Sequence, residues 1–212
     1  MPKLPDVSAL DLAALLSSKV CHDIISPVGA IANGLELLDD DSDAETQEIA
    51  MSLVRSSSAN ASAKLQFARI AYGAAGSAGA DIDTGDAESV ARGYFANEKK
   101  TDLEWVGERA LMPKNKVKLL LNLLLVGLAA VPRGGIVKAV INDPNGTPSF
   151  TVTATGTVAR VPPTFLDLLN GTFEGQPDAH AVQPLYTLKL AEAVNMAINA
   201  SIDGESVTIK AG

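Results

Sequence analysis

The sequence predicts an α+β protein in two parts, with residues 1–75 as an antiparallel helical hairpin and residues 76–212 as an α/β sandwich. Three observations predict it. The first 70 or so residues carry an apolar repeat of three or four, the signature of amphipathic helices. A stretch rich in Gly, Ala and Ser then separates the halves over residues 73–85. Beyond it, short alternating segments are interleaved with helical ones, which fits helices on one face of a mostly antiparallel sheet.

In the first helix Leu12, Leu16, Val20, Ile24, Val28, Ile31, Leu35 and Leu38 form one stripe, and Asp6 or Ser8 can cap its start. A helix over 8–38 is roughly 45 Å long, with a bend expected at Pro27, whose ring removes a backbone hydrogen bond. The acidic run at 39–43 reads as a turn. A second helix follows, with Glu45 and Glu48 suited to its positive end and a stripe of Ile49, Leu53, Ser57, Ala61, Leu65 and Ala68. A lone hairpin leaves this stripe half exposed, so a homodimeric four-helix bundle is expected.

In the second part, helices are expected over 86–97, 113–131 (with Pro113 in its first turn), 163–169 and 182–198. Strands are expected over 102–106, 135–141 and 149–155, with a turn at Asn145-Gly146 and a closing hairpin of 200–203 and 206–210 around Gly204.

The chain has 212 residues, 47% hydrophobic and only 4% aromatic, with a net charge of −8. So negative a surface repels phosphate backbones and anionic lipid, which argues against nucleic acid and membrane as partners. The most apolar run, 119–131, is shorter than the roughly 20 residues that span a bilayer. The N-terminus lacks the layout of a signal peptide, so a cytoplasmic protein is expected. A single cysteine, Cys21, excludes an internal disulfide and any multi-cysteine metal site.

His22 lies two positions from both Val20 and Ile24, and two helical steps turn about 200°, so its side chain points away from the apolar stripe. Ser18, Lys19, Ser26, Gly29 and Asn33 share its face. On geometry alone this is either a site for an approaching partner or a plain surface histidine. A neutral imidazole is a nitrogen nucleophile near neutral pH. Asp23 either orients that ring through its other nitrogen or is a solvated charge.

The box His22-Asp23-Ile24-Ile25-Ser26-Pro27 resembles the phosphoacceptor box of sensor histidine kinases, and the order hairpin, linker, α/β domain resembles theirs as well. The second half resembles a degenerate version of their ATPase domain. Residues 120–127 with the turn Pro132-Arg133-Gly134-Gly135 look like the kinase N-box helix, and Asn122 is retained. Val126 stands where that family has a second asparagine for Mg²⁺, and an apolar side chain cannot ligate a hard cation. The run Ala154-Thr155-Gly156-Thr157-Val158 lacks the adenine-reading aspartate. Residues 182–187 contain no glycine to bring backbone amides to a phosphate.

The stretches from Lys19 to Ile31 and from Leu65 to Gly76 resemble two signatures of the ChpT-type histidine phosphotransferases of alphaproteobacterial cell-cycle phosphorelays. That resemblance implies a homodimer with degenerate ATPase-like domains, His22 as phosphoacceptor and Asp23 as its neighbouring acid. It implies the receiver domain of a hybrid histidine kinase as donor and response-regulator receivers as acceptors. A docked receiver is expected to meet Lys19, Ser26, Gly29, Asn33, Ser57 and Asn60, with small residues at 56–61 allowing close approach. No cofactor is expected in this chain, since Mg²⁺ would belong to the receiver. The competing reading is a non-catalytic scaffold that binds receivers or kinases through a dead kinase fold.

Four other residues have plainer readings. Cys21 is expected as a half-buried packing residue, because adjacent helix positions diverge by about 100° and do not converge on one ion with His22. His180 falls in a Gly/Pro/Asp-containing loop and reads as surface, Lys99-Lys100 as solvated charge, and Trp105 as core or a domain contact.

Overall fold

Ser8 starts the first helix as the spacing suggests: its hydroxyl accepts from Asp11 N at 3.1 Å and donates to the Asp11 carboxylate at 2.6 Å. The computed structural model describes residues 3–39, 43–73, 81–98 and 100–212. Helix α1 (Ala9–Asp39) runs on through the buried Pro27. Helix α2 (Ala44–Ala71) is capped by Asp43, whose carboxylate accepts from Thr46 N at 2.8 Å. Those hydrogen bonds hold the Asp43 carboxyl below its ordinary value. Most of the expected acidic turn, residues 40–42, and Lys99 lie outside the described residues.

The two helices meet through small residues. A Cβ on Gly34 would lie 2.7 Å from Val54 Cγ2 and 3.2 Å from the Ala50 carbonyl oxygen, so only glycine allows this approach. Ala50, Ser57 and Ala61 of α2 are buried. The larger stripe residues are covered on one side only: Val28, Leu35, Ile49, Leu53 and Leu65 stay exposed in the single chain.

The rest of the chain is an α/β sandwich. After β1 (Asp81–Asp83) come α3 (Thr84–Phe95), β2 (Thr101–Val106), β3 (Leu111–Pro113), α4 (Lys114–Ala130) and β4 (Gly135–Asn142). Then follow β5 (Ser149–Thr155), α5 (Pro163–Asn170), α6 (Val182–Ala193), β6 (Ile198–Asp203) and β7 (Ser206–Ala211). The main sheet has order β2-β4-β5-β7-β6. Only β2 and β4 pair in parallel, joined through the crossover helix α4. Alternation decides which face is buried: Val137, Ala139, Phe150, Val152, Ala154, Val207 and Ile209 point into the core, while Lys138 remains exposed. Leu119, Leu120, Leu121, Leu123 and Leu124 of α4 fill the layer above. Gly127 lets α4 approach the sheet, since its Cβ would lie 2.9 Å from Val152 Cγ1. Trp105 packs partly buried against this core. Among the described residues no helix is long and apolar enough to cross a membrane.

Three expectations need correction. The stretch expected as linker through residue 85 holds β1 at 81–83, antiparallel to β3, and α3 starts at Thr84. Asp83 explains the early start, because its carboxylate accepts from Gly85 N at 2.8 Å and from Arg109 Nε at 2.8 Å. The last helix stops at Ala193 rather than running to 198. Asn195 takes a left-handed φ of 54°, and Met196 N bonds back to the Ala191 carbonyl at 3.0 Å, a Schellman-type stop that frees Ile198 for strand β6.

The hairpin is built into the sandwich core. Phe67, Ile70 and Ala71 of α2 belong to it, and the rings of Phe67 and Tyr94 lie 4.7 Å apart. A buried polar seam crosses the junction. Asn122 Nδ2 donates to the Ala71 carbonyl at 3.2 Å and to the Lys118 carbonyl at 2.9 Å. Gln183 Nε2 donates to the backbone oxygen of Asn122 at 3.0 Å, to its Oδ1 at 3.2 Å and to Thr187 Oγ1 at 3.0 Å. Replacing Asn122 by Ala leaves buried partners unsatisfied and should cost about 1–3 kcal/mol. Urea denaturation should show a lower midpoint, and a wild-type midpoint would contradict the seam's role.

Candidate functional site

Helix α1 carries the site, and its periodicity is what exposes it. The His22 side chain is 70% exposed, on the side away from the half-covered stripe. Ser18, Ser26, Gly29 and Asn33 are exposed on the same face, and nothing lies within 4 Å of a Cβ built on Gly29. A protein surface can therefore approach the ring without displacing packed side chains.

Asp23 does not behave as a simple partner of the ring. Its carboxylate is paired with the Lys19 ammonium one turn back, and its Oδ1 lies 3.7 Å from His22 Nδ1, beyond hydrogen-bond length. The acid flanks the ring on its Nδ1 side without bonding to it. Asp23 also borders a small cavity lined by Val20, Ile24, Lys64, Phe67, Tyr72, Tyr94 and Leu125. The Tyr72 hydroxyl is buried there without a hydrogen-bond partner. Burial pushes both phenols upward, Tyr94 and Asp23 adding to it at Tyr72, so both rings stay neutral.

The structure also brings in a residue that the sequence reading passed over. His180, expected as plain surface, sits with its ring centroid 6.1 Å from that of His22 at an interplanar angle of 75°. Its backbone is fixed by Asp178, whose Oδ1 accepts from His180 N at 2.9 Å and Ala181 N at 2.8 Å. Those bonds hold the Asp178 carboxyl below its ordinary value. Only the fold joins His180 to His22, and no local motif marks the pair. Ile25, 72% exposed one turn from His22, is a second residue the reading missed.

Other expected positions divide. Lys19 is half-buried and engaged with Asp23. Asn60 is half-buried, and its Oδ1 is buried without a partner. Ser57 is corrected: it is buried within the chain, as is Ala61 one turn on, so it is not offered to a docking partner, while Ser56, Ser58 and Ala59 stay exposed. Cys21 is corrected too, being exposed rather than half-buried, because it sits on the solvent side of α1. Among the described residues, no group of three or more His, Cys, Asp and Glu is arranged to hold a metal ion.

Val126 and Ala154 are buried in the core. Residues 182–187 form the start of α6, and Gln183 from that turn closes on Asn122. Asn122, the retained N-box residue, is wholly buried and spends its amide on backbone carbonyls.

Comparison with known proteins agrees with this geometry. Residues 84–206 match the family model of the histidine phosphotransferase C-terminal domain. The protein phosphotransferase ChpT of Brucella abortus (strain 2308) is 55% identical over 206 residues, covering 97% of this chain and 97% of that protein. A solved structure described as a bacterial phosphotransferase aligns with a TM-score of 0.92 at 53% identity, covering 99% of this chain and 100% of the other. The chain belongs to the ChpT-type histidine phosphotransferases, and it is a phosphotransferase.

Proposed function

We propose that this phosphotransferase shuttles phosphoryl groups between receiver-domain aspartates through His22, in the cytoplasm and without ATP. The observation that carries the proposal is the exposure of His22 on a polar, uncrowded helix face in a chain of this family. The donor is the receiver of a hybrid histidine kinase, and the acceptors are response-regulator receivers.

Because Nδ1 faces Asp23, Nε2 is the nitrogen left to attack. Its lone pair forms the N–P bond as the P–O bond to the aspartyl group breaks, and that electron pair leaves on the receiver's carboxylate. Nδ1 keeps its proton, and the positive charge that grows on the ring is stabilised by the Asp23 carboxylate. The aspartyl phosphate is already reactive, so alignment supplies most of the catalysis. Mg²⁺ belongs to the receiver's acidic pocket. Transfer to the second receiver is the same step reversed. Ile25 gives the docking face an apolar centre beside Ser26, Gly29 and Asn33.

The exposed Val28, Leu35, Ile49 and Leu53 support a homodimer through the hairpins, which would remove them from water. Burial of Val126 and Ala154 and the bond of Gln183 to Asn122 support the absence of an ATP step.

His22→Ala should abolish transfer from a radiolabelled phospho-receiver while changing stability by about 0.5 kcal/mol or less, since the side chain packs against little. Asp23→Ala should slow transfer and leave it measurable. Label accepted by the His22→Ala protein would refute the relay through this residue. Light scattering at micromolar concentration should give twice the 21.9 kDa chain mass, and Leu35→Glu should shift it toward the monomer. A monomeric wild type would contradict the bundle. Calorimetric titration with Mg²⁺-ATP should give no saturable heat, and micromolar affinity would revive an ATP-dependent kinase.

A further inference from the structure

We propose that His180 is a second imidazole of the phosphotransfer site, donating a hydrogen bond to a phosphoryl oxygen once His22 is phosphorylated. The inference rests on the reading of His22 as phosphoacceptor and assigns a task to the sandwich domain that the relay reading leaves open.

The rings stand edge to face with centroids 6.1 Å apart. A direct N–H···N bond needs the two nitrogens about 3 Å apart, which brings imidazole centroids closer than this. The two rings therefore stand side by side without bonding, and a phosphoryl group projecting from His22 brings three strong acceptor oxygens to the neighbourhood of the His180 ring. An imidazole N–H is a suitable donor to them, and a bond to an ionised acceptor is stronger than a neutral one. His180 is exposed and its backbone is fixed by Asp178 at the approach to α6, so its ring is held over α1 by a short, hydrogen-bonded turn.

Placement depends on the whole fold. Helix α6 packs on α4, and Gln183, three residues beyond His180, is bonded to Asn122, which in turn holds the end of α2. The start of α6, where the resembled kinases keep a phosphate loop, here presents a ring to the phosphoacceptor of the same chain. The sandwich domain then acts directly on phosphohistidine chemistry besides completing the core. Within this chain only His22 gains or loses a covalent bond, the bond broken or formed in exchange being the P–O bond of the receiver's aspartyl phosphate.

The test uses potassium phosphoramidate, which phosphorylates histidine without a receiver and so separates chemistry from docking. Wild type, His180→Ala, His180→Gln and His180→Phe are labelled as full-length proteins. Decay of the acid-labile phosphohistidine and its ³¹P shift are followed at neutral pH, with far-UV circular dichroism as a check on folding. His180→Ala should lose label about tenfold faster, the effect of one charge-assisted hydrogen bond, with a displaced ³¹P resonance. His180→Gln, which keeps an N–H donor, should recover most of the lifetime, and His180→Phe, which keeps only a ring, should not. A wild-type lifetime and shift in His180→Ala, or equal rescue by Phe and Gln, would overturn the proposal. Transfer from a phosphorylated receiver to the His22→Ala protein would instead refute the phosphoacceptor reading.

Discussion

The structure depends on the buried seam through Asn122. A buried amide that lacks partners is costly, and here Asn122 Nδ2 donates to the Ala71 carbonyl at the end of α2 and to the Lys118 carbonyl of its own helix α4, while its Oδ1 accepts from Gln183 Nε2 of α6. Satisfying them together ties α2, α4 and α6 into one arrangement. Because the His180 turn runs straight into α6, the same arrangement brings that ring to α1. Apolar packing of α4 on the sheet supplies bulk stability, while the seam specifies how hairpin and sandwich are joined.

Val126, Ala154 and the start of α6 follow the same logic as packing positions. Val126 and Ala154 are core residues, and a polar or charged group at either position would need a ligand to satisfy it. The glycine-free start of α6 is a regular helical turn with Gln183 facing inward. Asn122 likewise spends its amide N–H groups on backbone carbonyls.

Much of this was legible in the sequence because periodicity is a strong local signal. The stripe from Leu12 to Leu38 defined α1 and put His22 on its open face, and the alternation of Ser149–Thr155 defined β5 to the residue. Less legible was whatever depended on contacts distant in the chain. β1 and β3 are three-residue strands that exist through pairing with each other, too short to show alternation. The early end of α6 rests on the left-handed Asn195, which an apolar stretch conceals. The docking role expected of Ser57 and the exposure of Cys21 were misread because small residues fit both an interface and a surface. His180 could not be seen, since its significance is its distance from His22.

The central claim is that the phosphoryl group rests on His22 during transfer, and mapping the modified residue tests it most directly. Wild-type protein is quenched at neutral pH moments after mixing with a phosphorylated receiver, digested, and read by electron-transfer fragmentation, which preserves N–P bonds. The account predicts phosphate on the peptide containing Lys19, His22 and Asp23, assigned to His22. Phosphate assigned to His180, to an aspartate, or found nowhere on this chain while the acceptor receiver becomes phosphorylated would contradict it.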